Sequence, residues 1–223
     1  MSAAPATTYG LLGMLATRSW TGYELTQQIR RSLRFVWPSS EGHLYREQKR
    51  LVDLGWATME DEPSGQRSRK RYSITSEGRI ALERWLETEP EEPHFQVEGI
   101  LRTFFGNHGS TDDLLASMRS TSASAHSMLG EMLGFVDEYL DEGGPLSMLE
   151  KEVTSSEFHG RPMFPERLHV VALAIDVTTQ LLQTLDCFFD EAADEVQDWP
   201  TPGDASITPS TRARLEAIHE RNV

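Results

Sequence analysis

Cysteine is almost absent from the sequence, since Cys187 is the only one among 223 residues. A single cysteine excludes a disulfide bond within the chain and suits a reducing compartment such as the cytosol. The sequence also lacks a charged segment followed by an apolar run after Met1, and we find no stretch that approaches the roughly 18 to 20 apolar residues of a membrane span. These absences predict a soluble, cytoplasmic protein without a membrane partner.

The motifs of catalysis and metal binding are missing as well. The sequence has no phosphate-binding glycine loop, no nucleophile elbow and no pair of histidines at helical spacing. Its seven histidines are scattered, and His126 and His169 are more simply surface or interface residues than metal ligands. We therefore expect no enzymatic activity, no catalytic residue, no metal site and no cofactor.

Charge is divided sharply along the chain. The formal net charge is -14, but residues 1–86 carry 13 Lys and Arg against 9 Asp and Glu, a net +4. Residues 87–223 carry 8 against 26, a net -18. An evenly acidic protein would be repelled by a polyanion, whereas this distribution predicts a basic head that can approach one and an acidic body that stays away from it.

The most informative segment is 37–51, because its periodicity predicts a short helix with one apolar side and one basic side. Leu44, Gln48 and Leu51 fall on one side of the helical wheel. The residues broadly opposite them are Ser39, His43, Arg46, Lys49 and Arg50. This layout is typical of a helix that packs on a small core with one face and lies in the DNA major groove with the other.

The flanking segments complete a recognisable motif. Residues 8–17 predict a first helix, and a Thr21–Glu24 capping box begins a second helix with an apolar stripe. Ser39 or Ser40 can cap the basic helix, which ends near Gly55. Two strands at 56–62 and 71–75, joined by a flexible basic loop at 63–70, predict a hairpin in which Tyr72 and Ile74 point inward. The order predicts a winged helix-turn-helix with a two-stranded wing and a linking helix.

At this point the chain resembles the PadR family of transcriptional regulators. The matching segments lie at 11–15, 21–25, 37–38, 42–45, 49–51, 54–55, 71–75 and 78, in order and without a gap across residues 9–86. Two positions depart from the family pattern. Arg46 and Glu47 stand where many members have proline, which is expected to add a DNA contact. Gln48 replaces a usual apolar residue, which either weakens the packing beneath the helix or marks a polar contact there.

Candidate DNA contacts lie at the start of the second helix, on the basic helix and on the wing. A helix N-terminus can approach a phosphate, long basic side chains can reach bases or backbone, and a cationic wing can lie along the backbone or in the minor groove. For the wing, solubilising surface charge is the alternative; for Tyr23 and Tyr45, it is a place at the edge of the core. The candidates are Thr21, Tyr23, Ser39, Ser40, Gly42, His43, Tyr45, Arg46, Lys49, Arg50, Arg67, Arg69, Lys70 and Arg71.

The acidic part contains two long apolar patterns. Residues 111–141 and 165–195 each have a seam spaced alternately by 3 and 4 positions, which is a heptad pattern. The second segment has a further row at Val170, Ala174, Val177, Leu181 and Phe188. Apolar rows on two sides require two partners, so we expect this helix to pack on its own chain and on another subunit. An internal hairpin in a monomer is the alternative. The predicted dimerisation residues are Leu115, Met118, Leu129, Met132, Val136, Val171, Ile175, Leu182, Leu185 and Phe189.

Together these patterns predict a mainly α protein: a winged helix-turn-helix domain at 1–89, a helical dimerisation and regulatory domain at 90–199, and a partly flexible tail at 200–223 with a final helix at 209–220. The resemblance implies a homodimeric regulator, more often a repressor, that binds an inverted-repeat DNA operator and can respond to an effector through its C-terminal domain. The alternatives are a protein-interaction adaptor built on the same head, and a thiol redox-responsive regulator. Cys187 is most simply a small packing residue.

Overall fold

A computed structural model of the chain describes residues 4–64, 67–153, 157–158 and 161–221, without the side chains of residues 63, 64, 67, 68, 158, 161 and 162. The chain divides into two compact units, Met1–Pro93 and His94–Val223, which we call the head and the body. The head contains α1 (Ala6–Thr17), β1 (Trp20–Thr21), α2 (Gly22–Leu33), α3 (Glu41–Asp53), β2 (Ala57–Ser64), β3 (Arg67–Ile74) and α4 (Ser76–Leu86).

The core of the head lies between its first three helices, as the apolar spacing predicts. Leu11, Leu25, Leu44 and Leu51 are fully buried. Thr21 caps α2 in the predicted capping box. At the end of α3, Gly55 has a φ of +72°, a left-handed conformation that favours glycine and stops the helix.

The wing is longer and more regular than predicted. β2 and β3 pair antiparallel from Ala57↔Ile74 to Ser64↔Arg67. The prediction of a flexible loop at 63–70 is therefore wrong for residues 63, 64 and 67–70. Residues 65 and 66 lie outside the described part. Strand pairing satisfies the backbone groups that a loop would leave to water. The short strand β1, which the sequence pattern does not predict, pairs with β3 and extends the two-stranded wing to the order β1-β3-β2.

Aromatic stacking and a close backbone approach join α4 to the rest of the head. The ring of Trp85 stacks on that of Tyr9 in α1, with centroids 4.9 Å apart and planes 4° apart. In the first turn of α4, a Cβ added to Gly78 would lie 2.2 Å from the carbonyl oxygen of Trp56. The chain leaving the wing therefore passes directly against the residue that precedes β2.

Two 30-residue helices dominate the body. The elements are α5 (Glu98–Phe104), α6 (Thr111–Leu140), α7 (Pro145–Glu150), the paired strands β4 (Glu157–Phe158) and β5 (Arg161–Pro162), α8 (Leu168–Gln197) and α9 (Thr208–Arg221), with 3-10 turns at Gly106–His108, Pro165–Arg167 and Ala205–Ile207. The two long helices and the final helix were predicted from the sequence. The short helix α7 and the β4–β5 pair were not, because both are too short to show a period.

The heptad seams of α6 and α8 pack on each other within one chain. Of the ten predicted dimerisation residues, Met118, Met132, Leu182 and Phe189 are buried and the other six are half-buried. Phe189 is 1% exposed and belongs to a cluster with Met118 of α6. Most of this seam is thus already covered without a partner, and its role in dimerisation stays a prediction.

The second apolar row of α8 has the opposite environment. Its large members Val170, Val177, Leu181 and Phe188 are 43–62% exposed, and the adjacent Leu173 is 70% exposed. We call these five residues the exposed row. By length and composition alone, the segment Pro165–Gln197 that contains α8 could cross a membrane, as the core helix of a soluble protein also could, so the absence of a membrane partner stays a prediction.

Candidate nucleic-acid interface

The basic helix predicted from the sequence is α3, and its N-terminus is capped by Ser40. The Ser40 hydroxyl accepts a hydrogen bond from the backbone N–H of His43, with Oγ and N 3.3 Å apart. Of the two predicted caps, Ser40 is therefore the one used. Ser39 precedes the helix and is half-buried. Gly42 is exposed in the first turn, where free backbone N–H groups and the helix dipole favour an anion.

The outer side of α3 presents a run of positive charge. Arg46, Lys49 and Arg50 are exposed and His43 is half-buried. These side chains occupy neighbouring directions on the helical wheel, so the helix can bring several cations to one DNA groove. The predicted division of α3 into a basic and a core-facing side is confirmed.

The inner side of α3 is less apolar than expected. Leu44, Gln48 and Leu51 are fully buried as predicted. Glu47 is buried too, which the sequence reading missed: its carboxylate accepts a hydrogen bond from the Thr8 hydroxyl of α1. At Gln48 the structure decides between the two alternatives in favour of a polar contact, since its amide donates to two acceptors of α2.

Three candidates at the start of α2 and on α3 have distinct environments. Thr21 is 4% exposed and its hydroxyl caps α2, so the structure gives its side chain a structural role, and the DNA contact predicted for it stays a prediction. Tyr23 is 67% exposed, which argues against a place at the edge of the core, whereas Tyr45 is 43% exposed with its ring beside Gly22 and Tyr72, so both alternatives stay open for Tyr45. Both phenol rings are available to a ligand such as a phosphate group.

The wing pairs an acidic strand with a basic one. Asp61 lies opposite Lys70 and Glu62 opposite Arg69 in the ladder. Lys70 and Arg69 are exposed. Opposite charges on adjacent strands stabilise the hairpin and also lower the net charge that it presents to DNA. The wing is therefore less cationic than its basic residues alone suggested.

Arg71 is held within the head. Its Nη2 lies 2.8 Å from Glu62 Oε2, and its Nη1 donates to the backbone oxygen of Ser19 at 3.2 Å. A DNA contact by Arg71 would have to compete with these bonds. The side chain of Arg67, another predicted contact, lies outside the described residues.

A cleft of about 550 Å³ brings part of the predicted set together. Its walls come from α2, α3 and the wing, and include Tyr23, Tyr45, Arg69 and Lys70. Tyr72 also lines the cleft, and burial, with a smaller effect of the nearby Tyr45, raises the pKa of its hydroxyl. The cleft lies between α3 and the wing and combines aromatic rings and the cations of Arg69 and Lys70 with the carboxylate of Glu24. The rings and cations suit contact with a sugar-phosphate backbone.

Among the described residues, no group of three or more His, Cys, Asp or Glu side chains is arranged to hold a metal ion. Cys187 is exposed on α8 in the single chain, and its role as a small packing residue stays a prediction.

Comparison with known proteins identifies similar chains. Residues 11–84 match the model of the transcriptional regulator PadR-like family. The negative transcriptional regulator PadR of Bacillus subtilis is 23% identical over 141 residues, covering 62% of this chain and 78% of that protein. The probable transcriptional regulator Rv1176c of Mycobacterium tuberculosis is 27% identical over 112 residues, covering 50% of this chain and 57% of that protein.

Structural similarity extends beyond the matched domain. The crystal structure of Bacillus subtilis PadR in complex with operator DNA has a TM-score of 0.64 and 17% sequence identity, covering 86% of this chain and 99% of that chain. At this identity the similarity shows the fold, including the large helical C-terminal region. The first of these relatives is a negative transcriptional regulator and the second a probable one, in agreement with the prediction that the chain is not an enzyme.

Proposed function

We propose that the chain is a DNA-binding transcriptional regulator of the PadR type, and that it recognises a specific double-stranded operator as a homodimer and represses transcription from it in the cytoplasm. The observation that carries the proposal is the exposed basic side of α3, formed by Arg46, Lys49 and Arg50. A basic helix of about this length fits the major groove, and the cleft toward the wing offers cations to the neighbouring phosphates.

Recognition is tested with DNA that the full-length protein itself selects from a pool of random 30-bp duplexes. We expect an enriched sequence, with an affinity well above that for an unselected duplex and a steep decrease in affinity as salt rises, because each phosphate contact releases counterions. Footprinting upstream of the protein's own gene then locates a natural operator. Failure to enrich any sequence, with only salt-independent protein partners, would favour the adaptor alternative.

Dimerisation is proposed through the exposed row of α8. Five large apolar side chains along one helix form a surface that water solvates poorly, and a second copy of the same helix is a complementary partner for it. A symmetric dimer would place two recognition helices about 34 Å apart, facing an inverted repeat with half-sites one DNA turn apart or a near multiple. The exposed row thus gives α8 the second partner that its two-sided pattern requires.

Repression is favoured by the Bacillus subtilis relative, which is a negative regulator. In a dimer, an effector would act by changing the distance or angle between the two heads, which alters how well they fit the two half-sites. A reporter gene placed behind the footprinted operator tests the sign of regulation: deletion of the regulator should raise expression. Control by an effector or by oxidation of Cys187 stays a prediction.

A further inference from the structure

The two polar residues on the buried side of α3 are not explained by DNA contact. Glu47 is 6% exposed and Gln48 is 0% exposed. Burying polar groups costs free energy unless they are hydrogen-bonded, and the inner side of a short helix is ordinarily apolar. Each of these residues contacts a different helix of the head, which suggests a role in how α3 is held.

The side-chain amide of Gln48, the hydroxyl of Thr26 and the backbone oxygen of Gly22 are linked to one another by hydrogen bonds at the start of α2. Its Nε2 lies 3.0 Å from the backbone oxygen of Gly22 and 2.9 Å from Thr26 Oγ1. The Thr26 hydroxyl itself donates to the backbone oxygen of Gly22 at 2.9 Å. Its proton is thus already used, and it can only accept from Gln48. Both partners are acceptors, so the NH₂ end of the amide must face α2.

The other end of the amide lacks a hydrogen bond. Gln48 Oε1 is buried and has no partner among the described atoms. It approaches α2 so closely that a Cβ on Gly22 would lie 2.8 Å from it. A buried acceptor without a partner lowers the stability of a fold, and an apolar side chain of similar size would pack there without this penalty. Stability alone does not explain Gln48.

The directionality of hydrogen bonds does explain why a glutamine occupies this position. The apolar contacts of Leu44 and Leu51 depend little on orientation and would allow α3 to rotate or slide on the core. Hydrogen bonds weaken steeply when their distance or angle changes. Gln48 fixes α3 against α2, and Glu47, bonded to Thr8, fixes it against α1.

We propose that Gln48 is a positioning residue for DNA recognition. Its bonds to Gly22 and Thr26 set the rotation of α3, so that the exposed side chains of Arg46 and Lys49 meet the DNA bases in one register. The unpaired Oε1 of Gln48 lowers the stability of the head, while the two Nε2 bonds improve discrimination between DNA sequences. Single buried polar residues specify one helix arrangement in the same way in other proteins. This inference rests on the proposed DNA-binding function.

The test compares Gln48→Leu and Gln48→Met with the parent in the full-length chain. The probes are the duplex that the parent selects from the random 30-bp pool and an unselected duplex of the same length. Affinity for the selected duplex should fall about tenfold or more, the loss expected when a base contact is misplaced. Affinity for the unselected duplex should change less than about twofold, since phosphate contacts tolerate small shifts. The thermal unfolding midpoint should stay the same or rise.

Thr26 supplies a second, independent set of variants. Thr26→Val removes the acceptor and should reproduce the loss of preference, whereas Thr26→Ser keeps the hydroxyl and should retain it. Combining Thr26→Val with Gln48→Leu should add little to either change, because both break one network.

A residue that only fills the core would give a different result. Affinities for both duplexes would then fall together and in step with the unfolding midpoint, and this outcome overturns the positioning role. Unchanged preference in Gln48→Leu and Thr26→Val overturns it too. A parent that selects no sequence would instead refute the proposed function itself, so the two failures are distinguishable.

Discussion

Asp186 of α8 accepts a hydrogen bond from the hydroxyl of Ser122 in α6, with Oδ1 and Oγ 2.8 Å apart. Its other carboxylate oxygen lies 2.8 Å from Nδ1 of His126. The hydrogen bonds from His126 and from Ser122 hold the pKa of Asp186 below its ordinary value, against a smaller opposing effect of burial. These hydrogen bonds fix the position of α8 along its axis relative to α6, which the apolar seam alone does not.

Asp186→Asn should therefore destabilise the body in a pH-dependent way. A carboxyl group whose pKa is lowered by folding contributes stability above its unfolded pKa of about 4, and this contribution is lost as pH falls through the lower folded pKa. The difference in free energy of unfolding between parent and variant should be largest near neutral pH and shrink below about pH 4. Urea unfolding at a series of pH values measures it. Asp190→Asn, at an exposed position of α8, is the matched control. A difference independent of pH would contradict the assignment.

Arg46→Ala should weaken binding to the selected operator by about 1–3 kcal/mol if this side chain reads a base, or reduce the salt slope by about one unit if it contacts a phosphate. Because Arg46 is exposed, the unfolding midpoint should be nearly unchanged. Arg79→Ala removes the same charge from an exposed position on α4 and controls for net charge. Equal operator affinities of the two variants would place the recognition surface elsewhere.

Glu62→Gln should strengthen DNA binding. The substitution releases Arg71 from its ion pair and lets the guanidinium reach a phosphate, so affinity should rise for selected and unselected duplexes alike, with a steeper salt dependence. Glu77→Gln makes the same charge change at an exposed position of α4. Titration of DNA with both variants over a range of salt concentrations separates the effect of releasing Arg71 from the effect of the changed net charge. If they gain equally, the benefit comes from net charge and Arg71 plays no part.

Leu181→Glu should dissociate the proposed dimer without unfolding the chain. Leu181 is 43% exposed in the single chain, so a carboxylate there remains hydrated until a second subunit covers it. Sedimentation should show a monomer, and affinity for a full operator should fall toward that for a single half-site as avidity is lost. Gln183→Glu, exposed on another side of α8, should leave the dimer intact.

Leu182→Asp, one position further along α8, provides a contrast. Leu182 is 6% exposed, so the charge would be buried within the chain and should unfold the body. A parent protein that sediments as a monomer and still binds the full operator tightly would overturn the dimer.

Burial could be predicted from the sequence where it depends only on the periodicity of a single segment. The division of α3 into basic and core-facing sides follows from helical periodicity, and this placed Leu44, Gln48 and Leu51 correctly. The burial of Glu47 does not follow, because it depends on a hydroxyl 39 positions earlier in the chain. A carboxylate is ordinarily solvated, and only its distant partner makes burial acceptable.

The same distinction applies to the wing and the body. Charged residues on both strands of the hairpin hide the alternation that marks a strand, so the sequence pattern predicts a loop for the outer half of the hairpin. Periodicity showed that α8 has two apolar rows but not which of them meets α6. That choice is made by the fit of Leu182 and Phe189 against the partner helix, which is a property of packing.

Gly78 and Gly13 look equivalent in the sequence, since each is a glycine inside a helix, but the two positions differ in mutational tolerance. A methyl group on Gly13 would meet nothing within 4 Å, whereas one on Gly78 would collide with the backbone of Trp56, which cannot move aside as a flexible side chain can. Position 13 is therefore open to redesign, and alanine there would also favour the helix. Position 78 admits glycine alone unless the wing and α4 separate, so any engineered version of this head must keep that junction.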